Sequence, residues 1–365
     1  MINLRSDTFT EPCIGMRKAM ATAKVGDDCY KEDPTVSRLE KQCADLFQKE
    51  AALFMPSGTM SNQVAIKTHT NPGEEVLTHE RYHVYYYESA PSSAFSGIHF
   101  GLITNNDGSI RPIDIQKSIS RKPRGNLYAV PSLLCLENTI CSMGGKVLSQ
   151  QELAATMKEA HLLGMKVHLD GARIFNASAA ENTSVSDFAK HSDSISICFS
   201  KGLGAPMGSI LSGDRDFIEN ARKYRKWFGG AFHQSGFIAA ACLYALNHHT
   251  DFKQIQKDHN HAESVYKTLL NYFGEGVLTY NKSNMLLLSC KALDIEVIEL
   301  IAALKKVGIL VLPWDNESIR MVFHRGVHEK AVPKIGKLMI QCIESLIPSS
   351  LKSTTLFKLV SCSGK

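Results

Sequence analysis

The stretch G-M-K-V-H-L-D-G-A-R-I-F-N, residues 164–176, and the run S-I-S-I-C-F-S-K-G-L-G-A-P-M-G-S, residues 194–209, decide the fold. Each holds a short apolar run, Met165–Leu169 and Ile195–Phe199, and each run leads to one charged residue, Asp170 and Lys201. Short apolar runs bounded by glycine and polar residues read as buried strands. In an open α/β sheet, ligands sit beyond the carboxyl ends of the strands. An acid and an amine at such ends, among small residues, suit a site that holds a cofactor between them.

Gly202, Gly204 and Ala205 leave room for a bulky group on the Lys201 amine. Pyridoxal phosphate (PLP), bound there as a Schiff base with Asp170 on its pyridinium nitrogen, meets that description. Taken singly, each residue has a plainer reading. Asp170 is then a turn residue at a strand end and Lys201 a solvated charge, and for either one alone the plainer reading is the stronger. The remaining chain has to decide.

Outward from the centre, local signals repeat a β-α-β order. Asp33 reads as an N-cap with Pro34 at the first helical position. Ala51–Met55 reads as a strand, followed by P-S-G-T-M-S-N and a helix to about His69. Ser57, Gly58 and Thr59 open that helix, where free N–H groups and the dipole attract an anion. They are assigned to the cofactor's phosphate, although many helices begin with such a turn. Glu75–Thr78, 96–103 and 127–137 read as further strands, and residues 1–32 as irregular. Ser149 and Glu152 form a capping box before a helix that Gly164 stops. This order implies a mostly parallel sheet with right-handed crossovers. Composition turns polar at 247–257, which places a domain boundary there. A small α/β domain follows. The expected division is 1–250, a large domain with an N-terminal arm; 251–348, the small domain; and 349–365, a flexible tail.

With 365 residues, 44% hydrophobic and 21% charged, the composition is that of a soluble enzyme. The net charge of +5 is small and its basic residues dispersed, so no nucleic-acid footprint is expected. No apolar stretch reaches the length of a membrane span. The first residues lack the apolar core of a signal peptide. Ten scattered cysteines without a C-x-x-C pair argue against a metal site and for a reducing, cytoplasmic setting.

Together these pieces resemble the low-specificity L-threonine aldolases, a family of fold-type I PLP-dependent enzymes. The resemblance spans roughly residues 2–346. It is carried by N-L-R-S-D-T (3–8), V-G-D-D (25–28), E-D-P-T-V (32–36), P-S-G-T-M-S-N (56–62), His83 with Glu88, L-E-N-T (136–139), and above all H-L-D-G-A-R-I-F-N and F-S-K-G-L-G-A-P-M-G-S. From spacing alone, His83 among its tyrosines reads better as a structural histidine.

The resemblance implies a transferase-like α/β fold and the retro-aldol cleavage of threonine or allo-threonine to glycine and an aldehyde. It implies PLP on Lys201, Asp170 on the ring nitrogen, His83 stacked on the ring, and Gly58 and Thr59 at the phosphate. Ser6, Arg173 and Arg320 become candidates for the substrate carboxylate, with Arg173 also near the ring oxygen. A homodimer or homotetramer with active sites between subunits is implied as well. The chain departs from the family at Tyr128, where a histidine is common shortly before L-E-N-T. It departs again at Ile140, at Met60, and at His233, which replaces the arginine of G-G-x-x-R-Q-S-G. Tyr128 then stands beside His83 as a candidate to relay the β-hydroxyl proton, although a phenol is a poor base near neutrality. Two other functions share these residues. One is a PLP-dependent β-eliminating lyase, racemase or transaldolase. The other is a catalytically weak PLP-binding homologue.

Overall fold

The computed structural model describes residues 1–121 and 127–347. The tail expected at 349–365 lies outside the described residues. The chain divides into two compact units, residues 11–252, and residues 1–10 together with the chain from 253 onward.

The larger unit is built on seven strands: β1 Ala51–Met55, β2 Glu75–His79, β3 His99–Ile103, β4 Pro131–Glu137, β5 Lys166–Asp170, β6 Ser194–Cys198 and β7 Ser209–Gly213. Their order across the sheet is β1-β7-β6-β5-β4-β2-β3. β5 and β6 run side by side and parallel, with Asp170 opposite Ser196. The adjacency expected from two charge-ended apolar runs is therefore present. β7 is antiparallel to both β6 and β1, and the remaining pairings are parallel. Every residue of β2, β6 and β7 is buried, as in a sheet covered on both faces.

The helices start where local chemistry directs. In α2, Pro34–Phe47, the Asp33 carboxylate accepts from Thr35 N and Val36 N. In α5, Gln150–Leu162, Ser149 and Glu152 close a reciprocal capping box. The other labelled helices are α1 Ile14–Ala21, α3 Gly58–His69, α4 Pro112–Ser120, α6 Arg215–Trp227, α7 Gly236–His248 and α8 Phe252–Phe273.

Several local expectations are corrected. Residues 1–32 are not irregular throughout, because α1 lies among them. Only Met16 of α1 is buried, so its sequence shows almost no amphipathic pattern. It is held by close packing on α7 instead. A Cβ added at Gly15 would stand 2.3 Å from the Tyr244 hydroxyl. The polar stretch 247–257 is partly helical, its residues 252–257 forming the first turns of α8, and the two units divide within it. The strands expected at 96–103 and 127–137 begin later, at His99 and Pro131.

The second unit carries a four-stranded antiparallel sheet, in the order Leu312–Pro313, Ser318–Val322, Met285–Ser289, Leu278–Tyr280. Leu269, Leu286, Leu300, Phe323, Ile335 and Ile343 belong to its buried core. The first residues of the chain are hydrogen-bonded into this unit. Ile2–Asn3 pairs parallel with Ile309–Leu310, and Val322 N donates to Leu4 O at 2.8 Å. No described helix is long and apolar enough to cross a membrane.

Candidate active site

Asp170 is the last residue of β5, and its backbone is locked from both sides. Asn138 N donates to Asp170 O at 3.0 Å, and Gly171 N to Ser196 O at 2.8 Å. Its carboxylate is buried and doubly held, by Ala172 N on Oδ1 at 3.0 Å and by Asn62 Nδ2 on Oδ2 at 2.8 Å. Burial alone would raise this carboxyl's pKa. The charges of His83 and Lys201 and the two hydrogen bonds override it and hold the group below the usual carboxylate range. Three residues singled out in the sequence, Asp170, Lys201 and His83, are thus within electrostatic reach of one another.

Lys201 follows β6 in a tight turn, where Gly204 N donates to Lys201 O at 2.8 Å. Gly204 has φ +79°, which costs glycine nothing but strains a residue with a Cβ. The turn therefore needs glycine to bring the lysine back over the strand end.

His83 opens a four-residue helix, with its own N–H donating to Glu137 Oε2 at 2.6 Å. Its ring Nδ1 lies 2.5 Å from Glu88 Oε1. Burial pulls the imidazole pKa down. The bond to Glu88 and the negative charges of Asp170, Glu88 and Glu137 outweigh this and raise it above its ordinary value. Glu88 also accepts from Asn62 Nδ2 at 3.1 Å and Gln63 Nε2 at 2.8 Å. One amide, that of Asn62, thus ties the acid behind His83 to Asp170. Its carbonyl oxygen accepts from Ser196 Oγ at 2.9 Å and meets His168 Nε2 at 3.1 Å. Burial pushes His168 down to about 4, so this support is neutral.

Glu137 sits beneath this group, accepting from Cys141 N at 2.8 Å as well as from His83 N. Burial, with the nearby Asp170 charge, pushes its carboxyl from 4.5 up to about 7. Between those values the folded protein keeps a proton that the unfolded chain has released. This group therefore makes stability fall as pH rises from about 4.5 to about 7. Glu137→Gln should flatten that part of the melting-temperature profile. A slope equal to the parent's would remove Glu137 as its source.

Ser57, Gly58 and Thr59 form the entry to α3. Ser57 Oγ accepts from Met60 N at 3.2 Å as the N-cap and keeps its own proton to donate. A Cβ on Gly58 would stand 2.4 Å from Cys198 Sγ, so glycine seats this helix start against the end of β6. Arg173 is buried three residues beyond Asp170. These features fit PLP. They combine a buried ionised carboxylate for the ring nitrogen, an amine nearby, an imidazole backed by an acid, and a helix start for the phosphate.

Tyr128 is not brought to this group by its own chain. It is 51% exposed at the amino end of β4, while Glu137 is at the carboxyl end. From Pro131 to Glu137, β4 spans roughly 20 Å at about 3.3 Å per residue, and Tyr128 lies three residues before its start. Ser6 and Arg320 lie in the second unit. Ser6 Oγ accepts from Thr8 N at 3.3 Å. The Arg320 guanidinium lies 4.4 Å over the Trp314 ring, and its Nη2 is 3.4 Å from Arg5 O, next to Ser6.

Sequence reasoning missed Asn62, Gln63 and Glu137 as working residues. A signal existed for Asn62, which lies four residues after Gly58 and so on the same helix face. Glu137 was quoted only as part of a motif.

The model of the family described as Beta-eliminating lyase matches residues 3–289. The chain is similar to probable low-specificity L-threonine aldolase 2 of Arabidopsis thaliana, 36% identical over 95% of this chain and 98% of that one. It is also similar to the low specificity L-threonine aldolase of Escherichia coli K12, at 40% identity over 72% and 77%. In fold it is similar to the Leishmania major threonine aldolase structure, with TM-score 0.81, 20% identity, and 94% and 100% coverage. The Sphingomonas wittichii serine palmitoyltransferase structure matches with TM-score 0.71 at 16% identity, over 94% of this chain and 87% of that one. The architecture is that of the fold-type I PLP-dependent enzymes. The chain belongs to the Beta-eliminating lyase family and, within it, to the low-specificity L-threonine aldolases.

Proposed function

We propose that this enzyme cleaves L-threonine and L-allo-threonine, and other β-hydroxy-α-amino acids, to glycine and an aldehyde. The observation that carries the reading is the Asp170–Asn62–Glu88–His83 chain of hydrogen bonds, with the Lys201 charge beside it. PLP, when bound, supplies the sink for the electrons of the broken Cα–Cβ bond. Lys201 supplies the amine that takes the cofactor's aldehyde. Asp170, ionised and buried, keeps a proton on the pyridine nitrogen. Ser57, Gly58 and Thr59 hold the phosphate. For the substrate carboxylate, to which a planar guanidinium fork is suited, Arg173 is the candidate on the larger unit, and Arg320 and Ser6 are the candidates on the second unit. His83 would stack on the ring. With Nδ1 fixed by Glu88, its Nε2 is the atom left to handle the β-hydroxyl proton.

We attach to this reading a cytoplasmic homodimer or homotetramer with active sites at the subunit interface. The segment Gly229–Gly236 is the part we assign to the partner-facing surface. Trp227, Phe232 and Phe237 are exposed on and beside it, an apolar face that a second copy would cover. Tyr128 has a place in catalysis only when contributed across such an interface.

The test is product identity. L-threonine and L-allo-threonine should each give equimolar glycine and acetaldehyde. Serine, threonine and cysteine should give no pyruvate or 2-oxobutyrate beyond a trace. A predominance of oxo acids would establish the eliminating chemistry instead. Cofactor binding with no cleavage of any β-hydroxy amino acid would overturn both.

A further inference from the structure

The loop bearing His233 holds a second cluster of chemistry-bearing groups that the aldol reading does not use. One ligand atom each from Asp27, Cys29 and His233 lies within 4.8 Å of the other two. His233 Nδ1 is 2.8 Å from Asp27 Oδ2. Cys29 Sγ lies 3.8 Å from Phe232 O and 3.8 Å from Lys226 Nζ, and its thiol also hydrogen-bonds to the Asp27 carboxylate.

The backbone beneath is firmly held. Asp28 N donates to His233 O at 2.7 Å, and Cys29 N to Asp27 Oδ1 at 2.8 Å. Asp33 Oδ2 accepts from both Gly26 N and Gly236 N, at 3.2 and 2.9 Å, closing the two loops onto each other. The His233 side chain is 75% exposed in the single chain, on the segment assigned above to the partner-facing surface. An exposed His–Asp pair by itself contributes little to stability, so it gives no reason for a thiol to be the third member.

We propose that Asp27, Cys29 and His233 form a binding site for a zinc-class divalent cation. A thiolate, an imidazole and a carboxylate are the donors zinc prefers, and three protein ligands leave a fourth position for water or another group. The thiolate and the carboxylate together neutralise the ion's charge. Binding forms Zn–S, Zn–N and Zn–O bonds. The thiol proton leaves to solvent, the imidazole's remaining proton sits on the nitrogen not bound, and no electron changes hands. The ion staples the segment 26–33 to the segment 229–236. The imidazole donor of the site is His233, and the site does not depend on the assignment of Lys201.

Cobalt(II) is the probe. Chelator-treated holoenzyme should bind one equivalent per chain, with a near-ultraviolet sulfur-to-cobalt band in the difference spectrum. Zinc should displace the cobalt. Cys29→Ser should remove the band, and His233→Arg should weaken zinc binding by about tenfold or more. Cys13→Ser, at an exposed thiol away from the cluster, should change neither. The cofactor's own colour in each variant shows that the chain is folded. Absence of saturable binding at micromolar metal would overturn the site, as would Cys29→Ser and His233→Arg chains that bind like the parent.

Discussion

A Lys201→Ala chain should purify without the cofactor's colour. Its turnover should fall by at least about 10³-fold, a loss of ~4 kcal/mol in the barrier at about 1.36 kcal/mol per decade. The reasoning is positional. Lys201 sits where β6 ends, beside the strand whose last residue is Asp170, and its charge helps hold that carboxyl ionised. Removing the amine takes away the proposed covalent anchor and one of the two positive charges, Lys201 and His83, that hold Asp170 ionised. His83 and the Asn62 amide remain, so the fold should survive and the melting temperature should stay near the parent's. Borohydride treatment of the parent should fix the cofactor on the peptide containing Lys201. Retained colour in the alanine chain would show that another amine carries the cofactor.

The largest effect on stability is expected at Arg225. This residue of α6 is 1% exposed, donates from Nη1 to Phe54 O in β1 at 2.8 Å, and places Nη2 2.8 Å from Asp28 Oδ2. The Asp28 side chain is 3% exposed. Arg225→Ala leaves that carboxylate buried without its counter-charge, a change that costs about 3–5 kcal/mol. For a unit of this size each kcal/mol moves Tm by about 2–4 °C, so a fall of roughly 10 °C is expected. A double change, Asp28→Asn with Arg225→Met, should recover a good part of the loss, because no charge is then stranded. An Arg225→Ala chain melting within about 2 °C of the parent would show that water or relaxation already screens the pair.

The parts of this structure that could be read from sequence are those set by neighbours along the chain. Asp33-Pro34 and the Ser149–Glu152 box mark helix starts because a cap is a local hydrogen bond. The strands of Asp170 and Lys201 could be paired because each is apolar, short and ended by a charge. The wiring behind Asp170 could not be read in the same way. Asn62, Glu88 and Glu137 come from three separated segments and meet only once the sheet is formed. Helix α1 escaped notice because it owes its existence to α7, with Gly15 under Tyr244, and little to its own pattern. The direction of β7 was equally hidden, since a buried strand reads the same parallel or antiparallel. Tyr128 is a different case: it precedes β4 by three residues, at the other end of that strand from Glu137, so nothing along its own chain shows which site it serves.

The antiparallel strand β7 also sets a schedule for synthesis on the ribosome. β1 is at the sheet edge, and β7 is its one neighbour. Residues 55 and 213 close the two strands, 213 − 55 = 158 positions apart. At about 5–20 residues per second, β1 waits roughly 10–30 s with its backbone groups unpaired. Until β6 emerges, the helix start assigned to the phosphate has no Cys198 to pack against. A nascent chain stalled before Ser209 should accordingly be protease-sensitive around Ala51–Met55. Release of a few dozen more residues should make the same segment resistant.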